Sequence, residues 1–117
     1  MFSFTEDEIT KVKKAKNILD NFAGLTSGDL VLNMKTDKVG ILESDGIIFP
    51  LNEQFDYSTH VWVPHVFQIQ KILHNYSVDI TNISIVNRHD NVFECWFHLL
   101  LETFDFRWDG SNWVHSY

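Results

Sequence analysis

The aromatic segment near the carboxyl end of the chain constrains the fold more than any other feature. Its Phe, Trp and Val content is typical of a strand, but its spacing is helical. The large apolar residues recur at i, i+3, i+4, i+7, i+8 and i+11, and they are Phe93, Trp96, Phe97, Leu100, Leu101 and Phe104. Because these intervals place every member on one face of an α-helix, we predict a helix over residues 92–104. Burial of that face would stabilise the fold by several kcal/mol, at about 25 cal/mol per Å² of apolar surface.

The first predicted helix has signals at both ends. Thr5 and Glu8 have the spacing of a capping box, in which each side chain accepts a hydrogen bond from a free backbone N–H. Gly24 is a natural terminator. One apolar stripe runs between them, formed by Ile9, Val12, Ala15, Leu19 and Phe22. We therefore predict one helix from the capping box to Phe22.

A three-strand antiparallel meander is predicted after this helix. Residues 28–34, 39–43 and 47–49 have strand-like composition, and turns are expected at 35–38 and 44–46. Pro50 ends the third strand, because proline cannot donate to a sheet ladder. Residues 51–60 are expected to form a polar loop. Its Phe55 and Tyr57 either contact a partner or, in the interpretation we favour, fold back over the core.

The rest of the chain predicts a helix, a strand, the helix over 92–104 and a hairpin. Pro64 is placed at the first position of the second helix, a position that proline favours. Residues 77–87 are rich in β-branched side chains and predict a strand, and Asn91 is the expected cap of the next helix. The tight turn at Asp109-Gly110, with a tryptophan on either side, predicts a terminal hairpin or a clamp at the end of the preceding helix, and we favour the hairpin.

These elements define an α+β fold. It comprises an N-terminal helix, a three-strand antiparallel meander, then helix-strand-helix and a short C-terminal Trp-Asp-Gly hairpin. A length of 117 residues suits a single domain over 1–117.

Charge is distributed unevenly along the chain. The net charge is −7. Residues 1–39 contain six acidic and six basic side chains, whereas residues 40–117 contain ten acidic and three basic ones. No Lys or Arg occurs between Lys38 and Lys71. Most of this surface would repel a phosphate backbone, which argues against generic nucleic-acid binding. It favours a protein partner with a basic surface. The lysines at 11, 13, 14 and 16 are interpreted as a solvated helix face.

The sequence favours a cytoplasmic protein. No apolar run reaches the roughly 18 to 20 residues that span a bilayer, and residues 1–7 lack the order of a signal peptide. Cys95 is the only cysteine, so an internal disulfide cannot form, which is usual in a reducing compartment. It adjoins the apolar stripe, where we expect a buried and unreactive thiol.

Catalytic and metal-binding motifs are absent from the sequence. It contains no GxSxG, HExxH or DxDxDG pattern and no glycine-rich phosphate loop. Glu94, His98 and Glu102 follow one another at i+4 and could hold a divalent cation. We favour the alternative that they form an exposed polar ladder opposite the apolar stripe. The chain is accordingly expected to be neither an enzyme nor a cofactor-binding protein.

The last 57 residues resemble short uncharacterised proteins encoded by bacteriophages and prophages. Val61-Trp62-Val63-Pro64 followed by Gln68-Ile69-Gln70-Lys71-Ile72-Leu73 is similar to their Trp-Leu-Pro segment and Gln-Leu-Gln helix. Their Trp-Asp/Asn-Gly-x-x-Trp ending corresponds to residues 108–113. His65-Val66-Phe67 departs from the polar residues expected there. The resemblance implies a mobile-element origin and no particular activity.

The composition and the resemblance together favour a non-enzymatic protein-binding module, such as an inhibitor of a host or defence protein. Candidate partner-binding residues combine acids with aromatics, and they are Glu53, Phe55, Asp56, Tyr57, Trp62, Trp108, Asp109 and Trp113. Two alternatives stay open. One is a small-molecule or nucleotide-binding module with an aromatic pocket, and the other is an immunity protein that neutralises a basic toxin.

Overall fold

A computed structural model describes residues 4–22, 25–78 and 92–116 of the chain. Contacts between Cα atoms divide the chain into two compact units, Met1–Pro64 and His65–Tyr117. Each unit is described by itself below. Gly24, Asn91 and nearly all of the strand predicted over 77–87 lie outside the described residues.

The first unit begins with the predicted helix. Helix α1 spans Glu6–Lys14, α2 spans Lys16–Leu19, and a 3-10 turn covers Asp20–Phe22. The capping box is confirmed, since the Thr5 N–H donates to Glu8 Oε1 at 2.8 Å and the Glu8 N–H donates to Thr5 Oγ1 at 3.2 Å. The helix is interrupted at Ala15, where ψ is 6°. The apolar stripe nevertheless faces inward, with Val12, Ala15 and Leu19 buried.

A five-stranded antiparallel sheet follows these helices. Its strands are β1 (Leu30–Asn33), β2 (Lys38–Leu42), β3 (Ile47–Phe49), β4 (Glu53–Gln54) and β5 (His60–Val63). They lie in the order β4-β3-β2-β1-β5. The predicted meander is confirmed as β1, β2 and β3. Strand β1 lies at the centre and all four of its residues are buried.

Two of these strands correct the sequence prediction. The loop expected over 51–60 contains β4 and the first residue of β5. Pro64, expected to be the first residue of a helix, instead follows β5, and the helix begins at Val66. The physical reason is that Val61-Trp62-Val63 suits an extended backbone. This segment pairs antiparallel with β1, where Leu32 is opposite Val61 and Leu30 is opposite Val63.

The sheet register places an apolar cluster and a polar group on the same face. Val31, Leu42 and Ile48 form a buried cluster, against which Leu25, Leu51 and Phe55 pack. Side chains alternate along a strand, and register partners share a face. Asn33 is two residues from Val31 and opposite His60, while Glu53 is opposite Ile48. These three polar residues therefore project from the face that carries the cluster.

The second unit contains two helices and a hairpin. Helix α3 spans Val66–Asn75 and packs against α4, which spans Val92–Thr103. Strands β6 (Phe106–Trp108) and β7 (Trp113–His115) form the hairpin, in which Trp108 is opposite Trp113. The predicted helix over 92–104 and the terminal hairpin are thus confirmed. The α+β class is confirmed as well.

His98 is predicted to lie on an exposed polar ladder, but in the structure it is buried. It is only 8% exposed, and its ring lies 5.0 Å from that of Trp113. The hairpin supplies a contact on the side of α4 that spacing alone marks as polar. Cys95 is buried as expected. Within the described ranges, none of the helices has the length and apolar character needed to span a membrane.

Candidate functional site

Two surface clefts adjoin the turn between β2 and β3 in the first unit. The first has a volume of about 330 Å³ and is lined by Glu43, Asp45, Ile47, Ile48, Phe49, Pro50 and Asn52. The second has a volume of about 280 Å³ and is lined by Leu25, Ser27, Leu42, Glu43, Ser44, Gly46, Gln54, Phe55 and Tyr57. Glu43 borders both clefts. Leu42 and Phe55 belong to the face of the apolar cluster, whereas Phe49 follows Ile48 in β3 and projects from the other face, so the two clefts flank the turn on its two sides.

Backbone hydrogen bonds hold the turn between the clefts. The Glu43 N–H donates to Ile47 O at 2.9 Å, and the Gly46 N–H donates to Glu43 O at 3.0 Å. Asp45 Oδ1 accepts from the Ile47 N–H at 3.0 Å. Gly46 has a φ of +85°, a backbone conformation that residues with a side chain rarely adopt. The turn therefore requires glycine.

The same turn is bonded to the segment that carries the aromatic rings of the second cleft. Gly46 O accepts from the Phe55 N–H at 2.9 Å. Phe55 packs against the apolar cluster and meets Tyr57 edge to face, with ring centroids 4.8 Å apart. Phe55 thus covers the core, as the favoured sequence interpretation expects. The same interpretation is wrong for Tyr57, which is 55% exposed and faces solvent.

Exposed aromatic and acidic side chains occur together at this end of the sheet. Phe49 is 59% exposed, and Glu43 and Asp45 are also exposed. Among the described residues that line the two clefts there is no Lys, Arg or His. We call this region the acidic-aromatic surface and define it by Glu43, Asp45, Phe49, Phe55 and Tyr57.

A buried polar network supports the segment between β4 and β5. His60 is only 2% exposed, and its Nε2 lies 3.1 Å from Glu53 Oε2. The same carboxylate oxygen accepts from Asn33 Nδ2 at 2.7 Å. His60 Nδ1 lies 3.0 Å from the Asp56 N–H, and the His60 ring stacks on Phe55 with centroids 5.5 Å apart. The network therefore positions the ring that forms part of the second cleft.

Asp56 organises the turn that carries Tyr57. Its carboxylate accepts from the Ser58 N–H at 3.0 Å and from the Ser58 hydroxyl at 2.9 Å. These hydrogen bonds, the backbone one first, lower the pKa of Asp56 below its ordinary value of 3.8. The carboxylate is exposed and stays ionised at neutral pH.

The lysines of the first helical region form specific contacts. Lys13 Nζ lies 2.9 Å from Asp37 Oδ1. Lys16 Nζ lies 2.8 Å from Asp20 Oδ2 and donates to His60 O at 3.3 Å. Lys13 and Lys16, which are predicted to lie on a solvated helix face, therefore also connect the helices to the sheet and its turns.

The structure brings only some of the predicted partner-binding residues into the clefts. Phe55 and Tyr57 line the second cleft. The Glu53 carboxylate is engaged inside the polar network, and Asp56 is exposed beside Tyr57. Trp62 is half-buried, with its ring centroid 6.4 Å from that of Phe22. Its Nε1 is buried without a hydrogen-bond acceptor in the described part of the chain.

The remaining predicted residues belong to the second unit. Trp113 is 8% exposed and packs on Phe97, with ring centroids 5.8 Å apart. Trp108 is half-buried, 5.2 Å from Trp113 between centroids. Asp109 Oδ1 accepts from the N–H groups of Ser111 at 2.8 Å and Asn112 at 2.7 Å. All three therefore contribute to the packing or the turn of the hairpin.

Sequence reasoning missed Glu43, Asp45 and Phe49. The available signals were the Ser44-Asp45-Gly46 turn and the absence of Lys and Arg between positions 38 and 71. Neither signal shows that the turn adjoins residues 49–57, because that proximity depends on the sheet register.

Neither a metal-binding site nor a similarity to known proteins adds evidence on the role of the acidic-aromatic surface. Within residues 4–22, 25–78 and 92–116, no group of three or more His, Cys, Asp or Glu side chains is arranged to hold a metal ion. That includes the alternative at Glu94, His98 and Glu102. No protein-family model, curated protein or solved structure matches the chain. The likeness to phage-encoded proteins stays a prediction.

Proposed function

We propose that this protein is a non-enzymatic protein-binding module that binds a partner with a basic surface. The observation that carries the proposal is the acidic-aromatic surface. It combines two clefts, two exposed rings and two exposed carboxylates without a basic residue in the described lining. Exposed apolar groups rimmed by polar ones are typical of interaction sites, and aromatic residues are enriched in protein interfaces.

Charge supports a basic protein as the partner. Glu43 and Asp45 are exposed on a turn whose backbone is held by hydrogen bonds, so binding would not require the turn to be ordered first. Complementary charge accelerates association and makes it sensitive to salt. A nucleotide is a less suitable occupant, because its phosphates would meet carboxylates in clefts whose described lining contains no cationic side chain.

The test is affinity capture followed by a measured affinity. The wild-type chain is immobilised, exposed to a bacterial lysate, and the captured protein is purified and titrated by calorimetry. The test variant combines Glu43→Gln with Asp45→Asn, which preserves an acceptor for the Ile47 N–H. The matched control combines Asn17→Lys with Asn21→Lys, two exposed helical positions, and changes the net charge equally.

We expect a basic partner whose affinity falls about tenfold or more in the test variant and stays unchanged in the control. Equal affinity for both variants would contradict the proposal, as would capture of no protein. Stabilisation by a nucleotide in a thermal-shift panel would instead support the small-molecule alternative. A captured basic toxin would place the chain among immunity proteins. The proposal also includes an inhibitory role, a phage origin and a cytoplasmic location.

A further inference from the structure

We infer that the partner docks on the sheet face that carries Phe49, with an apolar side chain over that ring and a basic side chain against Glu43. This inference rests on the proposed function and specifies which side of the turn forms the interface. The first cleft borders this face and has a volume of about 330 Å³. Pockets that hold ligands have volumes of about 300–1,000 Å³, so the cleft is large enough for part of a partner's chain.

Strand register places Glu43 and Phe49 on the same face of the sheet. Ile41 is opposite Phe49. The Glu43 N–H donates to Ile47 O at 2.9 Å, which continues the same register by two residues. Register partners share a face, and side chains two residues apart on a strand project from the same side. Glu43 and Phe49 are therefore diagonal neighbours, a relation that separates residues by about 7–8 Å.

The Phe49 ring is the exposed apolar group of this face. It is 59% exposed, and within the described ranges it contacts no other aromatic ring. Tyr57, in contrast, meets Phe55 edge to face. Ile41 and Ile47 are half-buried on the same face as Phe49 and extend its apolar surface. An apolar side chain of the partner would remove this area from water, which favours binding.

Two carboxylates adjoin the apolar surface around Phe49. Glu43 is exposed, and no hydrogen bond or ion pair with another described residue engages its carboxylate. Asp45 is also exposed, and its Oδ1 accepts from the Ile47 N–H. The described lining of the first cleft contains no cationic side chain. Charge complementarity therefore favours a basic side chain at the Glu43 end of this face.

The other side of the turn offers no such combination. Glu43 is the one acidic residue in the described lining of the second cleft. Alternation from the buried Leu42 directs the Glu43 side chain away from the face of Leu42 and Phe55. The exposed ring of Tyr57 thus has no carboxylate beside it in the described lining of that cleft, whereas Phe49 shares its face with Glu43.

An extended segment of the partner matches the spacing between Glu43 and Phe49. Side chains at positions i and i+2 of such a segment project from one side and are about 7 Å apart. One of them would be apolar and cover Phe49, and the other would be basic and reach Glu43. The tripeptide acetyl-Leu-Gly-Arg amide contains this pair of side chains, and it is the probe for the experiment.

The experiment titrates the isolated chain with this tripeptide and follows the backbone amide resonances of residues 41–49 and 54–57 by NMR. Two matched ligands separate the contributions. Citrulline in place of arginine removes the charge with little change of shape, and glycine in place of leucine removes the apolar side chain. We expect saturable shifts within residues 41–49 at millimolar tripeptide, and binding of either control that is weaker by about threefold or more.

Two pairs of variants assign the binding to this face. Phe49→Ser is expected to weaken tripeptide binding about three- to tenfold. Tyr57→Ser removes a similarly exposed ring on the other side of the turn and is expected to leave binding unchanged. Glu43→Gln is expected to weaken binding about two- to fivefold. Glu6→Gln removes an exposed carboxylate of α1 and is expected to change nothing.

Four results would each overturn the inference. They are shifts confined to residues 54–57, a larger loss in Tyr57→Ser than in Phe49→Ser, equal binding of the arginine and citrulline tripeptides, and no saturable shift.

No partner protein is needed in this titration, so its failure is distinguishable from that of the proposed function. A captured basic partner that depends on Glu43 and Asp45 but tolerates Phe49→Ser would keep the proposed function and overturn the inference. Tripeptide binding that depends on Phe49 and Glu43, without a captured partner, would leave this face assigned and the proposed function contradicted.

Discussion

The imidazole Nε2 of His60 lies 3.1 Å from a carboxylate oxygen of Glu53, and this contact joins the two edge strands of the sheet. The central strand takes part as well, because Asn33 Nδ2 donates to the same oxygen at 2.7 Å. Residues from β1, β4 and β5 thus share one polar network beside the apolar cluster. The network stabilises the segment that carries Phe55 and Tyr57.

Glu53→Ala is expected to destabilise the first unit. The variant leaves Asn33 Nδ2 and His60 Nε2 without their acceptor, and His60 is nearly inaccessible to water. An unsatisfied buried polar group costs about 1–3 kcal/mol. Urea denaturation should therefore show a lower free energy of unfolding, whereas Gln54→Ala, at the exposed next position, should change it by less than about 0.5 kcal/mol. Equal effects of the two variants would contradict the structural role of the network.

Gly40→Ala is expected to disturb the packing of β2 against β3 and Leu51. An added Cβ would meet the Ile48 side chain and lie 2.8 Å from Phe49 O and 3.2 Å from the Leu51 side chain. Overpacking of this kind costs about 1–3 kcal/mol. The measurement is the midpoint of thermal unfolding, with Lys38→Ala, an exposed position on the same strand, as the control. An unchanged midpoint for Gly40→Ala would show that the close approach is wrong.

Trp113→Ala is expected to destabilise the second unit more than Trp108→Ala. Trp113 is buried and contacts the rings of Phe97 and His98, at 5.8 and 5.0 Å between centroids, while Trp108 is half-buried. Loss of a buried tryptophan typically costs about 3–5 kcal/mol. Amide hydrogen exchange of α4 should accelerate strongly in Trp113→Ala and less in Trp108→Ala. The reverse order would contradict the assignment of Trp113 to the core.

Asp109 provides a pH-dependent contribution to the hairpin. The N–H groups of Ser111 and Asn112 lower the pKa of its carboxyl below the ordinary value of 3.8. Because the folded pKa is depressed, this contribution is complete above pH 3.8 and is lost as the pH falls through the folded pKa. NMR titration of the side-chain carboxyl should give a midpoint below 3.8, and Asp109→Asn should remove this part of the pH dependence. A midpoint at or above 3.8 would contradict the hydrogen-bonded turn.

Local signals predicted the helices and turns well. The capping box at Thr5 and Glu8 joins residues three positions apart, and the apolar stripe of α4 repeats within a single turn of helix. Spacing in the sequence is enough to recognise such features, because their partners are fixed by backbone geometry. The Trp108 and Trp113 pairing follows in the same way from the tight turn between them.

Strands β4 and β5 are features that local sequence patterns do not predict. Val61-Trp62-Val63 precedes Pro64, where local signals predict the first residue of a helix. Its extended conformation is decided by pairing with β1, about thirty residues earlier in the chain. The preference of a segment for strand depends on its neighbours in the sheet more than on its own residues. The same limit explains why the buried position of His98 was missed.

Some properties of the acidic-aromatic surface follow from the local sequence, and others follow only from the tertiary structure. The sequence alone determined the hairpin turn at residues 44–46, the stretch without Lys or Arg, and the presence of aromatic residues after Pro50. These properties depend on composition and on contacts between near neighbours. Only the tertiary structure decided that the Glu43 turn borders Phe49 and Tyr57, and that Glu53, Asn33 and His60 share one face. The reason is that strand register is set when distant segments pair, and a shift of one residue would turn each of these side chains to the opposite face.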